Sequence, residues 1–458
     1  MILYTIHKAK LTIIAVFFAI LPFGCTAIPE NTISQDDCSN TGENPQKCPE
    51  ISRIITEGNI VKMRVKVYNK EGNFNPSLQQ SDFSVETISE FGREKTIQPT
   101  VILPTDTRAE TTFADVIIML DMSGSMKFED SSPGRRRIKF KGAIDAINGF
   151  IDAVNDKQNL DVRIGLAPFG QGGNEFTVTD KSLDANFYPS DSDKLKEKVE
   201  ELANQYEELD ASTNLYEPLE TAVEYLRNSV SDSNNTTNNS QSRQLVVIVL
   251  SDGFHNNDRP TEEQQFEILK NILQPQDSEI PKVKVHTLGY GESLKEVYNS
   301  SECDIELTEE QLTEDEIIIK DKVIDQIINN CRYPRIRIDQ LIVDQPRLKQ
   351  IADLTGGSHQ FPDNAEEVAQ SLIKFLESLQ EYQLEYEQPE GDRATKHQAK
   401  VLVKGLTSNA KNYRITNIGY GTLKPLTRAL LTLGALVGFG LIGVFPFIKW
   451  SEKLRAER

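Results

Sequence analysis

Histidine is scarce in this sequence, and its placement argues against a common class of metal enzyme. The chain has 458 residues and 5 histidines, none of which forms an H-E-x-x-H motif or lies at helical spacing near a cysteine. A zinc hydrolase is therefore not expected. The sequence also lacks a G-x-S-x-G motif, and no lysine and hydroxyl residue follow the glycine-rich stretch 170–173. A serine hydrolase and a phosphate-loop enzyme are therefore not expected either, and we predict no enzymatic activity.

Positive charge is also in short supply. Lys and Arg number 50 against 69 Asp and Glu, which gives a formal net charge of −19. Because the phosphate backbone attracts basic surfaces, a nucleic-acid partner is not expected. Hydrophobic residues make up 38% of the chain, which is enough for folded cores, and the length predicts more than one domain.

The N-terminal segment 1–27 has the pattern of a signal peptide. A basic start precedes an apolar run from Leu11 to Phe23, and small residues follow up to Ala27. This run is short for a membrane span, so cleavage after Ala27 is the first interpretation. Lipidation of Cys25 and an uncleaved anchor remain as alternatives.

A second apolar segment lies near the other end. Residues 429–448 contain no charged side chain, and the basic segment 449–458 follows. This length matches the hydrocarbon core of a bilayer, so we predict one transmembrane helix. The positive-inside rule places the tail in the cytoplasm and the bulk of the chain outside it, on the cell surface or the periplasmic side. Gly434 and Gly438 form a G-x-x-x-G spacing that permits self-association of such a helix.

The cysteines indicate an exported protein with disulfide bonds. Removal or lipidation of Cys25 leaves an even number, and local pairing is the simplest arrangement. We therefore expect Cys38 to bond Cys48, and Cys303 to bond Cys331. Crossed pairing or free buried thiols are the alternatives.

Composition and periodicity divide the exported part of the chain. Residues 28–55 are polar and rich in proline and asparagine, which predicts a linker. Alternating apolar residues predict strands in 56–108 and again in 380–420. Neither segment alone makes a sheet with a good core. We therefore predict one small β-sandwich assembled from both, with a larger domain, 112–378, inserted between them.

The central segment 112–378 has the pattern of a doubly wound α/β domain. Val116–Leu120 and Leu245–Leu250 are continuous apolar runs, typical of mostly parallel strands buried on both faces. Helical patterns alternate with such strands, as expected for a Rossmann-like sheet. An acidic insert, 291–343, interrupts this alternation, and its role is not evident from sequence. The helical patterns cover 137–155, 192–207, 215–229, 262–273, 345–355 and 364–379.

Oxygen-bearing side chains follow the predicted buried strands. Asp121, Ser123 and Ser125 come after the first apolar run, and Asp252 comes after the later one. Thr213 lies between them, just before a helix, where capping that helix is its alternative role. Since the carboxyl ends of parallel strands meet at one sheet edge, these residues should converge. Oxygen ligands without His or Cys select a hard cation: Mg²⁺, Mn²⁺ or Ca²⁺.

The D-x-S-x-S motif, the threonine loop and the strand-S-D-G motif, in this order, resemble the von Willebrand factor type A domain and its metal-ion-dependent adhesion site. The resemblance covers about 112–378. It implies that Asp121, Ser123, Ser125 and Thr213 are metal ligands, and that Asp252 is a third-loop ligand, often through water. Members of the family bind an acidic side chain of a protein partner as the sixth ligand.

The β-rich flanks also look like those of membrane-anchored bacterial members of the family. The expected function is divalent-cation-dependent protein or ligand binding of the adhesion type, by a domain anchored in a membrane. The alternative is an accessory or scaffold subunit of a membrane complex, in which the metal is structural.

Overall fold

The computed structural model describes residues 48–456 apart from internal gaps. The predicted signal peptide 1–27, the first part of the predicted linker, Cys25 and Cys38 lie outside the described residues. The gaps are 71, 131–136, 172–175, 210–211, 234–242, 253–258, 278–279, 294, 296–297, 300–301, 313–322, 324–325, 328, 333–342, 389–395, 416–429, 431 and 438–444.

Strands and helices alternate in the middle of the described chain, and strands without α-helices occupy the flanks 50–102 and 382–414. The strands are β1 (Glu50–Glu57), β2 (Ile60–Lys66), β3 (Phe83–Ser89), β4 (Glu94–Ile97), β5 (Thr100–Ile102), β6 (Thr112–Asp121), β7 (Leu160–Phe169), β8 (Phe187–Pro189), β9 (Gln244–Ser251), β10 (Val283–Gly289), β11 (Glu302–Cys303), β12 (Cys331–Arg332), β13 (His359–Gln360), β14 (Tyr382–Glu387), β15 (Lys396–Val403), β16 (Leu406–Thr407) and β17 (Lys411–Arg414). The helices are α1 (Lys139–Asn155), α2 (Asp180–Ala185), α3 (Asp193–Ala203), α4 (Tyr216–Ser233), α5 (Arg259–Leu273), α6 (Glu309–Leu312), α7 (Gln345–Thr355), α8 (Ala365–Glu377) and α9 (Phe445–Ala456).

The central domain is built on a six-stranded sheet of order β13-β10-β9-β6-β7-β8. Neighbouring strands are parallel except β8, which runs antiparallel to β7. The two continuous apolar runs of the sequence are β6 and β9, which pair with each other at the centre of the sheet. Strands in this position have no solvent-facing side, which explains their composition. The mixed, mostly parallel α/β sheet agrees with the prediction.

Helices cover both faces of this sheet. Because successive strand residues point to opposite faces, β6 contributes to two separate cores. Val116, Ile118 and Leu120 pack in one core with residues of α1, α3 and α8. Ile117 and Met119 pack in the other with residues of α4, α5 and α7. This division is the doubly wound arrangement.

The helices of the central domain coincide with the predicted helical patterns to within a few residues at each end. The short helix α6, inside the insert 291–343, was not predicted, and neither was α2. Helix α2 is a short helix whose N-terminal cap is formed by Thr179 and Ser182, each side chain bonding the other residue's backbone N–H. Six residues cover less than two turns, which is too short for a periodic apolar pattern to be recognised.

The flanks form two further sheets. One has the order β1-β2-β14-β5, and the other has the order β16-β15-β3-β4 with β17 pairing to β15. Each sheet therefore combines strands that precede the central domain with strands that follow it. Buried residues of both sheets, including Met63, Phe83, Tyr382 and Val401, share one core. The division into a β-sandwich and an inserted domain stays a prediction.

The predicted linker 28–55 needs correction at its end. Strand β1 begins at Glu50 and pairs antiparallel with β2 on both sides of an irregularity at Ser52. A register shift between Ile51 and Arg53 interrupts the pairing. Such a bulge breaks the alternation of inward and outward side chains, so the strand leaves no period-two pattern in the sequence.

The structure describes one disulfide bond by both partners. Cys303 and Cys331 are joined, and their strands β11 and β12 form a small two-stranded sheet within the insert 291–343. Cys48 is also disulfide-bonded. Its predicted partner, Cys38, lies outside the described residues, so that pairing stays a prediction.

The predicted transmembrane segment 429–448 is described only in part, at residues 430, 432–437 and 445–448. In the portion of the chain that the structure describes, every helix is too short or too polar to cross a membrane.

Candidate metal centre

Two carboxylates meet at the carboxyl edge of the central sheet. Asp121 is the last residue of β6, and Asp252 follows the last residue of β9. The strands are adjacent, and Leu120 lies opposite Leu250 in their register. This register brings two aspartates that are far apart in sequence to neighbouring strand ends. Both have 0% exposure.

Hydroxyl groups surround the carboxylate of Asp121. Thr213 Oγ1 donates to Asp121 Oδ2 over 3.2 Å, and Ser251 Oγ donates to the same oxygen over 2.5 Å. The backbone N–H of Ser123 donates to Asp121 Oδ1 over 2.9 Å. The last contact turns the chain sharply after β6, which directs the following serines back toward the site.

The two serines of the first loop contact the other carboxylate. Ser125 Oγ donates to Asp252 Oδ1 over 2.7 Å, and Ser123 Oγ lies 3.4 Å from the same oxygen. The two hydroxyl oxygens are 2.8 Å apart. Ser123 precedes a short 3₁₀ helix, Gly124–Lys127, that holds Ser125 in a buried position. The five predicted ligands are thus brought together.

The loop that carries Thr213 is tied to the end of β7. Gln171 and Ser212 exchange backbone hydrogen bonds of 2.9 Å and 2.8 Å. On the other side, the Met122 N–H donates to the Phe169 carbonyl oxygen over 2.9 Å. These bonds fix the first and second loops against the same strand end. Asp210, Ala211 and Gly253, which flank the site in sequence, lie outside the described residues.

The two carboxylates of the site differ in their charged neighbours. Burial, and then the negative charge of Asp252, raise the pKa of Asp121 to about 6, although hydrogen bonds from Ser251 and Ser123 act in the opposite direction. Asp252 has a cationic partner, because Lys139 Nζ lies 2.9 Å from its Oδ2. Among the described residues, no Lys or Arg lies within ion-pair distance of Asp121.

Sequence reasoning missed two members of the site. Ser251 bonds Asp121, and its place directly before Asp252 in the S-D-G motif was a usable signal. Lys139 had no such signal. It lies in a run of basic residues, and nothing local distinguishes it from Lys141, whose side chain is exposed.

The site offers oxygen donors only: two carboxylates and several hydroxyls. In the described part of the chain no group of three or more His, Cys, Asp or Glu side chains could hold a metal. A cation here would therefore depend on neutral hydroxyls as well as on the two aspartates. Such a donor set suits a hard ion such as Mg²⁺, Mn²⁺ or Ca²⁺ rather than zinc.

Residues 116–255 match the family model described as the von Willebrand factor type A domain. This segment of the chain is therefore similar to a von Willebrand factor type A domain. The matched residues include every predicted metal ligand, together with Ser251 and Lys139. The match ends before the acidic insert 291–343, which is thus outside the matched region. A comparison with curated proteins found no match.

The solved structures that match this chain share little sequence identity with it. The pilus adhesin SpaC from Lactobacillus rhamnosus GG is 12% identical with a TM-score of 0.31, and the match covers 75% of this chain and 37% of SpaC. Proximal thread matrix protein 1 from the mussel byssus, with a zinc-occupied MIDAS motif, is 16% identical with a TM-score of 0.28, over 58% of this chain and 48% of that one. Manganese-loaded TRAP protein from Plasmodium vivax is 12% identical with a TM-score of 0.25, over 69% and 96%. The matches span less than half the length of SpaC and of proximal thread matrix protein 1.

Proposed function

We propose that this domain binds a protein ligand through a divalent cation, and that it does so without enzymatic activity. Asp121, Ser123, Ser125, Thr213 and Asp252 would hold the ion, with Asp252 able to act through water. The observation that carries the proposal is the pair of fully buried carboxylates at two neighbouring strand ends. Hydroxyl groups from the surrounding loops contact both of them.

The residues fit a cation on physical grounds. Burial of two neighbouring carboxylates is unfavourable unless positive charge compensates them. Burial and the charge of Asp252 raise the pKa of Asp121 to about 6, so the hydrogen bonds from Ser251 and Ser123 offset its charge only in part. Burial is the main cause of the raised pKa and the charge of Asp252 is the second, and a divalent ion between the two aspartates would oppose both.

The bound ion would supply a Lewis-acidic coordination position that accepts a carboxylate from the partner. The chain's own residues would orient it. Three of the five proposed ligands are neutral hydroxyls, and one of the two carboxylates, Asp252, is already paired with Lys139. A divalent ion with these groups would therefore keep a net positive charge. An acidic side chain of a protein partner is the ligand class that this charge balance favours.

Chelation distinguishes this function from the alternative, in which a structural metal supports a scaffold subunit of a membrane complex. We expect the full-length protein to capture its protein partner in Mg²⁺ and to release it in EDTA. An Asp121→Ala variant should capture nothing in either buffer. Assembly that is unchanged by EDTA in the wild type would favour the scaffold role. The Asp115→Asn variant, altered on the same strand but away from the site, is the matched control.

We further propose that the domain is displayed outside the cytoplasm on a single-pass anchor. The support is the uncharged segment 429–448 with the basic residues that follow it. Protease added outside intact cells should digest the central domain and leave a fragment that begins near residue 425. A central domain that resists this protease in intact cells, and is digested only after lysis, would contradict the orientation. The G-x-x-x-G spacing of Gly434 and Gly438 would permit self-association of this anchor.

A further inference from the structure

Lys139 occupies an unusual position at the start of α1. Its Nζ lies 2.9 Å from Asp252 Oδ2, and the two side chains have 4% and 0% exposure. Buried lysines are rare unless they are paired, because an ammonium loses its hydration on burial. Lys139 is also the first residue of its helix, where the helix dipole disfavours a positive charge. Its position therefore needs a compensating interaction, and Asp252 supplies it.

The two oxygens of Asp252 have different partners. Oδ1 accepts from Ser125, a proposed metal ligand, whereas Oδ2 accepts from Lys139. One carboxylate thus faces both the proposed ion and a fixed ammonium of the chain. Asp121 has only hydroxyl and backbone donors among the contacts described above.

We propose that Lys139 is the resident counter-ion of the metal-free site, and that it lowers the affinity of the site for a divalent cation. This inference rests on the proposed function, since it assigns a role at the same site. Lys139 is a positioning residue, because it contacts Asp252 and acts on the ion only through its charge, without being a ligand of the ion or a contact of the partner.

The Lys139 ammonium should have opposite effects on the metal-free and the metal-bound protein. Without the ion, the ammonium neutralises one of two neighbouring buried carboxylates and so stabilises the fold. With the ion bound, the same ammonium is a like charge beside a ligand oxygen and repels the ion. Removal of the charge should therefore weaken the metal-free fold and strengthen metal binding. A residue with a purely structural role would produce the first effect without the second.

The test compares Lys139→Met with Lys141→Met in the full-length protein. Lys141 lies on the same helix and is exposed, and its Nζ is 5.2 Å from the centroid of the Tyr206 ring. Its replacement therefore controls for the loss of a lysine from α1. In EDTA, Lys139→Met should lower the melting temperature by about 5 °C or more. Its Mg²⁺ affinity by calorimetry should rise about tenfold or more. Lys141→Met should match the wild type in both measurements.

A double variant keeps the inference testable if Lys139→Met does not fold. Adding Asp252→Asn removes the unpaired carboxylate, so the double variant should recover most of the lost melting temperature in EDTA. No recovery, or a Lys139→Met variant with unchanged or weaker Mg²⁺ affinity, would overturn the inference. Wild-type protein that binds no Mg²⁺ would instead overturn the proposed function. Lys139→Arg, which keeps the charge, should stay close to the wild type.

Discussion

Strand β6 holds two fully buried aspartates, Asp115 near its start and Asp121 at its end. Asp115 is held by two guanidinium groups. Arg163 donates to both of its oxygens, over 2.8 Å and 2.5 Å, and Arg243 Nε lies 2.6 Å from Oδ1. Asp121 faces a second carboxylate, Asp252, and a set of hydroxyls instead.

The comparison shows that burial does not by itself identify a functional carboxylate. Both aspartates are equally inaccessible, and both lie on one strand. They differ in whether the chain supplies the opposing charge. Asp115 has its cations in Arg163 and Arg243, which is the pattern of a structural ion pair. Asp121 has no such partner among the described residues, and under the proposed function its counter-charge would be a cation from solution. Perturbed groups of the second kind are candidates for functional sites.

The largest expected effect is on metal binding by the Asp121→Ala variant. Loss of this carboxylate should weaken Mg²⁺ binding by about 100-fold or more, since even changes next to metal ligands cost about 10- to 100-fold. The metal-free fold should keep or gain stability, because a repelling charge is removed. Calorimetric titration measures both the affinity and its loss. Equal Mg²⁺ affinity in the variant and the wild type would contradict the site assignment.

The second largest expected effect is a loss of stability in the Asp115→Asn variant. Asp115→Asn leaves two guanidinium groups without their carboxylate and should lower the free energy of unfolding by about 2–3 kcal/mol. This figure is below that for a fully buried pair because the Arg163 and Arg243 side chains are 40% and 20% exposed. Urea denaturation measures it, with Asp106→Asn as the control, because that variant breaks the pair of a half-buried aspartate with a single exposed arginine, Arg108. Mg²⁺ affinity should not change; a parallel loss would mean that the two ends of β6 are coupled.

The third effect is stabilisation by the ion itself. Mg²⁺ at about 100 times its dissociation constant should raise the free energy of unfolding by about 2.7 kcal/mol, because it binds the folded state alone. EDTA should reverse the shift in melting temperature. Asp121→Ala should show no shift, and Asp115→Asn should show the wild-type shift from a lower starting point. A shift that persists in Asp121→Ala would place the ion elsewhere.

The smallest effect is a pH dependence of the metal-free protein. The folded-state pKa of Asp121 is raised from 3.8 to about 6, so its protonated form favours the folded state. This contribution is present below the unfolded value of 3.8 and is lost as the pH rises through about 6, by at most about 1.4 kcal/mol per pH unit. The difference in unfolding free energy between wild type and Asp121→Asn, measured in EDTA from pH 4 to 7, isolates it. A flat difference over this interval would contradict the raised pKa.

Local patterns were sufficient where burial and periodicity coincide. The apolar runs that became β6 and β9 have no polar face, and α1, α7 and α8 carry a clear helical period. Local patterns did not predict elements with irregular geometry. Examples are β1, whose bulge near Ile51 disrupts the alternation, and the short helix α2. Such elements are stabilised by partners distant in sequence, so their own residues contain little information about them.

At the site, the motifs and the strand order predict which side chains lie at the ends of the buried strands. Asp121, Ser123 and Asp252 follow from them, because parallel strands end at a common edge. The charge that each carboxylate meets depends on distant segments of the folded chain. Lys139 reaches Asp252, and Arg243 reaches Asp115, across more than 100 positions of sequence. The reason is physical: electrostatic compensation acts through space at a few ångströms, and no local pattern records which cation the fold brings to that distance.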